Sequence, residues 1–184
     1  LTDSSTPAPD RSPPGRGAPL LVTAELPADV FAWADGLRRA LYPAERNRLG
    51  AHVTLLHGLP PSADGEVRRL LAGLAARNAP EARIAGLMDL GRGTAFEVES
   101  PELLDLHGEL AEHLHGVIQQ KDTHPPRFHI TVQNKVTPAA ARALQAELAP
   151  LSRPRAFRFR GIALSYWREE LWQLGQFYAF RGQA

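Results

Sequence analysis

Cysteine is absent from the 184 residues, which removes disulfides, thiolate metal sites and a cysteine nucleophile in one step. Lysine is nearly absent: of 21 basic residues only Lys121 and Lys135 are lysines. A net charge of +1 leaves no surplus for coating nucleic acid, so any phosphate recognition must be local. No phosphate-cradling glycine loop of the P-loop kind occurs, and nothing therefore points to nucleotide-driven chemistry. Residues 1–19 hold Pro7, Pro9, Pro13, Pro14 and Pro19 but no apolar stretch. They read as a disordered Pro/Ser-rich leader, neither signal peptide nor membrane span, and the expected address is cytoplasmic with no membrane and no obligate protein partner. Residues 20–184, in a chain 43% hydrophobic and 22% charged, suffice for one domain with its own core.

The histidines offer no metal site at ligand spacing. His113 and His115 are two apart in a helical stretch and face different ways, while His107 falls on an apolar stripe. No metal and no cofactor is expected. What the chain does contain is a short phrase used twice, His52-Val53-Thr54-Leu55 and His129-Ile130-Thr131-Val132. Each alternates apolar and polar residues as a strand does, so His52 and Thr54 share one face, as do His129 and Thr131, with the aliphatic residues on the other.

Around these phrases the chain reads as α+β. Residues 20–26 form a strand ended by Pro27, and Val30, Trp33, Leu37 and Leu41 fall on one helical face. A second helix follows, capped by Ser62 or Asp64, then a strand from about 83 to 90, the tight Gly91-Arg92-Gly93 loop and a strand at 95–99. Ser100-Pro101 opens a helix, and Thr137-Pro138 opens another after the His129 strand. Two strands, roughly 156–166 and 171–180, close the chain.

The halves match beyond the doubled phrase. Glu25-Leu26-Pro27 parallels Glu99-Ser100-Pro101, and Arg83 to Leu87 parallels Arg158 to Ile162 through Gly86 and Gly161. The repeated unit is strand, helix, histidine strand, helix, strand. Two such lobes about a pseudo-twofold axis would give two mainly antiparallel sheets flanking a central cleft, with helices on the outer faces and the His-x-Thr faces meeting in the cleft.

The paired phrases resemble the signatures of the 2H phosphoesterase superfamily, in particular its 2′-5′ RNA ligase-like branch of RNA 2′,3′-cyclic phosphodiesterases. The resemblance spans residues 20 to 180 and implies a bilobal fold with metal-independent chemistry. It implies His52 and His129 as catalytic groups, Thr54 and Thr131 as phosphate binders, and RNA ends or small cyclic nucleotides as substrates. Two positions depart from the pattern. Five residues after the second histidine, where an arginine is common, stands Asn134 followed by Lys135; five after the first, where a phenylalanine is common, stands His57. Alternation places Gln133 and Lys135 on the His129 face and Leu56 on the His52 face. His57, Gln133, Lys135, Tyr166 and Trp167 are further candidates for substrate contact.

Opening a cyclic phosphate with water needs a base, an acid and donors for the charged equatorial oxygens, and two histidines with two threonines can supply all of them. The 5′-hydroxyl of a second strand in place of water would give a 2′-5′ linkage. The resemblance suggests His129 as base and His52 as acid, with the rate bell-shaped around pH 5 to 8. Two alternatives stay open: the same residues acting on 2′-5′ phosphodiesters or cyclic ADP-ribose phosphate, and a non-catalytic phosphate- or RNA-binding module.

Overall fold

The computed structural model describes residues 18–182. Of the expected leader only Ala18 and Pro19 fall within this range, and Pro19 is already tied in, its carbonyl accepting the Trp167 amide at 3.2 Å. The elements run β1 (Leu20–Glu25), α1 (Ala28–Leu41), β2 (Val53–Leu59), α2 (Asp64–Leu74), β3 (Glu81–Asp89), β4 (Thr94–Glu99), α3 (Pro101–His113), β5 (His129–Gln133), α4 (Pro138–Leu148), β6 (Arg155–Arg158), β7 (Gly161–Arg168) and β8 (Leu171–Ala179). Among the described residues no helix is long and apolar enough to cross a membrane.

The strands form one antiparallel sheet in the order β6-β3-β4-β5-β2-β1-β7-β8. Two four-stranded halves are recognisable, as the repeat requires. They are not separate sheets, because β2 and β5 pair at Val53 and Ile130 and make the whole continuous. The third strand of each repeat crosses over: β3 pairs with β4 of the second repeat, and β7 pairs with β1 of the first. The close of the chain also differs from expectation, with three strands, since Phe159 and Arg160 break the first expected strand into β6 and β7.

Local chemistry accounts for most boundaries. The Ser100 hydroxyl accepts the Leu103 amide at 3.2 Å and Thr137 accepts Ala140 at 3.2 Å, each with proline at the first helical position. At α2 neither Ser62 nor Asp64 caps; Ala63 holds the cap position, and the Asp64 carboxylate turns to Arg68 instead, at 3.0 Å. Val30 of α1, Val67 and Leu71 of α2, Leu103 and Leu110 of α3, and Leu144 of α4 join Val22, Val53, Leu55, Ile130 and Val132 in one apolar core. Burying a Leu- or Val-sized side chain is worth about 1.5 to 3 kcal/mol, so the core side of each histidine strand anchors the polar side.

Candidate active site

Both histidine strands carry an extra residue at the same place, directly after the His-x-Thr phrase, and β2 carries a second at Gly58. In β2, Thr23 faces Thr54 and Val22 faces Leu56, so Leu55 is bulged out of the register. In β5, Ala95 faces Thr131 and Thr94 faces Gln133, leaving Val132 bulged. A bulge puts two consecutive residues toward the same side and reverses the alternation beyond it. Leu55 and Leu56 are both buried, as are Val132 and Gln133. Hence Leu56 does not share the His52 face; His57 does, opposite Leu21, and Asn134 reaches the site from β5.

The join between the halves brings the two phrases together. Val53 and Ile130 are partners, and in an antiparallel pair their neighbours lie His52 beside Thr131 and Thr54 beside His129. Both imidazoles are held the same way. The His52 Nδ1–H donates to the Gly50 carbonyl at 2.6 Å, and the His129 Nδ1–H donates to the Arg127 carbonyl at 2.8 Å. A carbonyl only accepts, so the proton is fixed on Nδ1 and each Nε2 is left for chemistry.

Crowding by protein atoms pushes the His52 imidazole down to about 4; the Gly50 carbonyl opposes this, and the charges of Arg38, His129 and His57 add to it. The sign of the effect on stability follows. Between pH 6.5 and about 4 the unfolded chain takes up a proton that native His52 refuses, so stability falls as pH drops through this window and is unaffected above it. The loss should reach about 2 to 3 kcal/mol. Urea midpoints of wild type and His52→Asn at pH 7 and pH 4.5 check it: the variant should show a visibly flatter acid loss, and parallel losses would refute the assignment.

A cavity of 540 Å³ adjoins these groups, lined by His52, Thr54, His57, Thr131, Asn134, Lys135 and Trp167 of the residues discussed above, with Arg38, Tyr42, Arg46, Arg48 and Trp172 added by the fold; His129, on the neighbouring strand, is not among its lining residues. Among the described residues no carboxylate lines it. Arg38 is only 5% exposed and is held by the Asn47 side chain (2.8 Å) and the Leu49 carbonyl (2.9 Å) through Nε, and by the Thr131 carbonyl (2.8 Å) through Nη1. On the opposite wall Trp172 meets Trp167 edge-on at 5.2 Å and His57 at 5.5 Å. The arrangement suits an anion beside a flat ring: cations and hydroxyls for phosphate, indoles for a base.

The sequence profile of the 2′-5′ RNA ligase superfamily matches residues 26–170. The chain belongs to this superfamily. No curated protein matches. Among solved structures, TT0787 of Thermus thermophilus superposes with a TM-score of 0.60 at 18% identity, covering 90% of this chain and 100% of that one. Escherichia coli LigT complexed with NADP+ gives 0.56 at 17% identity over 92% and 100%, and LigT complexed with 3′-AMP gives 0.54 at 16% over 90% and 99%. At such identities the likeness is one of fold.

Two candidates lie elsewhere in this member of the superfamily. Tyr166 is 1% exposed and donates its hydroxyl to Asp64 at 2.6 Å while accepting from Arg68, a buried tie between β7 and α2. Burial, with Asp64, pushes its phenol up to about 12. Gln133 is 8% exposed on the core side, because the Val132 bulge turned it there, and its Oε1 has no partner among the described residues. Neither lines the cavity. The remaining histidines form no metal set: among the described residues no three His, Asp or Glu side chains converge as ligands.

Proposed function

We propose that this superfamily member is a phosphodiesterase that opens 2′,3′-cyclic phosphate ends of RNA or nucleotides with side chains alone. The observation that carries the reading is the matched pair of imidazoles, each with Nδ1–H tied to a backbone carbonyl and Nε2 left free, on adjoining strands beside a cationic cavity. In the reaction, water attacks phosphorus as its proton passes to one Nε2; the phosphorus–sugar oxygen bond breaks as the other histidine's Nε2–H protonates the departing oxygen. Thr54 and Thr131 donate to the equatorial oxygens, where charge accumulates.

His52 is the base and His129 the acid, the reverse of the roles suggested by the resemblance. A base must be neutral at the working pH, and His52 is held so. As an acid it would carry its proton in roughly one molecule in a thousand at pH 7, by its distance from that pH. Lys135, placed on the His129 face by simple alternation, lies beyond the strand in a left-handed turn, φ 60°, whereas Arg38 acts directly on His52.

A second reading, cleavage of 2′-5′ phosphodiesters or of cyclic ADP-ribose phosphate, is favoured by Arg46, Arg48 and Lys135, which exceed the needs of one cyclic phosphate. The LigT complexes with 3′-AMP and NADP+ support nucleotide ligands of either size. Purified protein offered cyclic mononucleotides, RNAs with cyclic ends and 2′-5′ oligonucleotides in EDTA should open the cyclic phosphates at undiminished rate. Faster turnover of the 2′-5′ oligonucleotides would favour the second reading, and binding without turnover would leave a non-catalytic module. Activity lost in EDTA and restored by a divalent ion would sink the side-chain mechanism.

A further inference from the structure

We infer that Arg38 is a positioning residue of this site, because one buried guanidinium ties the loop before His52 to the backbone of the Thr131 strand and adds a permanent charge, on top of burial, on the His52 side. The inference rests on the two-histidine reading above and concerns how that site is built.

The repeat is broken at this point. Counted from Pro27 and Pro101, which precede or open α1 and α3, Arg38 corresponds to Glu112, which is exposed on α3. The first half thus has an internal cation where the second has a solvent-facing carboxylate. Arg38 lies on the buried stripe of α1 with Val30 and Ala34, yet its hydrogen-bonded partners are neutral oxygens of Asn47, Leu49 and Thr131. Its guanidinium also stacks over Tyr42, 4.3 Å from the ring centre. Desolvation lowers its proton affinity, but an arginine keeps its charge throughout the working range.

Other charged groups around His52 do not give the same bias. Asp35, the nearest carboxylate of α1, accepts the Ala51 amide at 3.0 Å and faces Arg39 at 3.5 Å. Arg48 is shared with Glu170 at 3.4 Å, and Arg46 with Glu45 at 3.9 Å. His57 from β2 and His129 from β5 add positive charge only when protonated. Among the described residues Arg38 alone combines burial, permanent charge and a hydrogen bond to each phrase's backbone surroundings. A cation so placed favours the neutral imidazole nearest it.

The test follows His52 by NMR in histidine-labelled full chain, alongside pH profiles of kcat and KM. Arg38→Met should raise the His52 midpoint by about one pH unit, a tenfold gain in proton affinity, and move the acid limb of kcat/KM with it. Arg38→Lys, which keeps the charge without the planar fork, should hold the midpoint low while kcat falls about tenfold and KM changes little. Asn47→Ala should behave like a weaker Arg38→Lys. If Arg38→Met does not fold, Arg38→Gln replaces it. A His52 midpoint unchanged in a folded neutral variant overturns the inference. The titration needs no substrate, so a protein that turns over no phosphodiester but shows these midpoints would sink the enzyme reading and leave the role of Arg38 standing.

Discussion

Alanine at either His52 or His129 should lower kcat/KM by about 10² to 10⁴-fold while the melting temperature at pH 7 moves little. On the mechanism proposed above, the size comes from removing a proton carrier from a transition state that needs both. The small stability effect comes from position: both residues are only partly buried, and each ring makes one hydrogen bond to a loop carbonyl. The double variant should be scarcely worse than either single one, because an acid without its base contributes little. Thr54→Ala and Thr131→Ala should each lose about tenfold, the net worth of one neutral hydrogen bond to the phosphate. Near-normal turnover in either histidine variant would refute the mechanism. A collapse in thermal stability would make that histidine a structural group.

The second large effect separates the two roles. A nitrophenyl phosphodiester expels a leaving group that needs no proton, so loss of the acid should matter little with it while loss of the base should still be felt. His129→Ala should regain most of its missing rate on such a substrate, and His52→Ala should not. The wild-type profile on natural leaving groups should keep its acid limb near pH 4, where His52 takes up its proton, and its alkaline limb should vanish with the nitrophenyl ester. The opposite rescue pattern would return the base role to His129. Equal, unrescued losses would mean that one histidine serves phosphate binding.

Much of this site was legible because the chain states it twice. Two copies of His-x-Thr on alternating strands fixed which residues share a face, and the Ser100-Pro101 and Thr137-Pro138 starts carry their own capping chemistry. The bulges were harder to read. One left a trace, the adjacent apolar pair Leu55-Leu56, but Val132-Gln133 carries none, since a glutamine after a valine continues ordinary alternation. The extra residue in each strand exchanges Gln133 for Asn134 and Leu56 for His57 on the cavity side. Arg38 is illegible for a different reason: an arginine in the last turn of a helix reads as a solvated cation favoured by the helix dipole. Only the loop from Arg46 to Gly50 folding over it makes it internal. Tyr166 was misplaced because its neighbours Ser165 and Trp167 gave no sign of Asp64 and Arg68, which arrive from α2 some hundred residues away in sequence.

The exchange of β3 and β7 between the halves bears on how such a molecule can be divided. A fragment ending in the Gly91–Gly93 loop would hold β1 without the neighbour on its β7 side and β3 without either of its neighbours. Exposed edges of this kind seek another chain. Each half is therefore a template for its counterpart, and fragments cut at that loop would regain order chiefly by reassociating. An ancestral single copy with the same topology could have closed its sheet by trading third strands with a twin, so that joining two genes would have required only a linker between strands already side by side. The covalent chain would then preserve, within one molecule, the geometry of a swapped dimer.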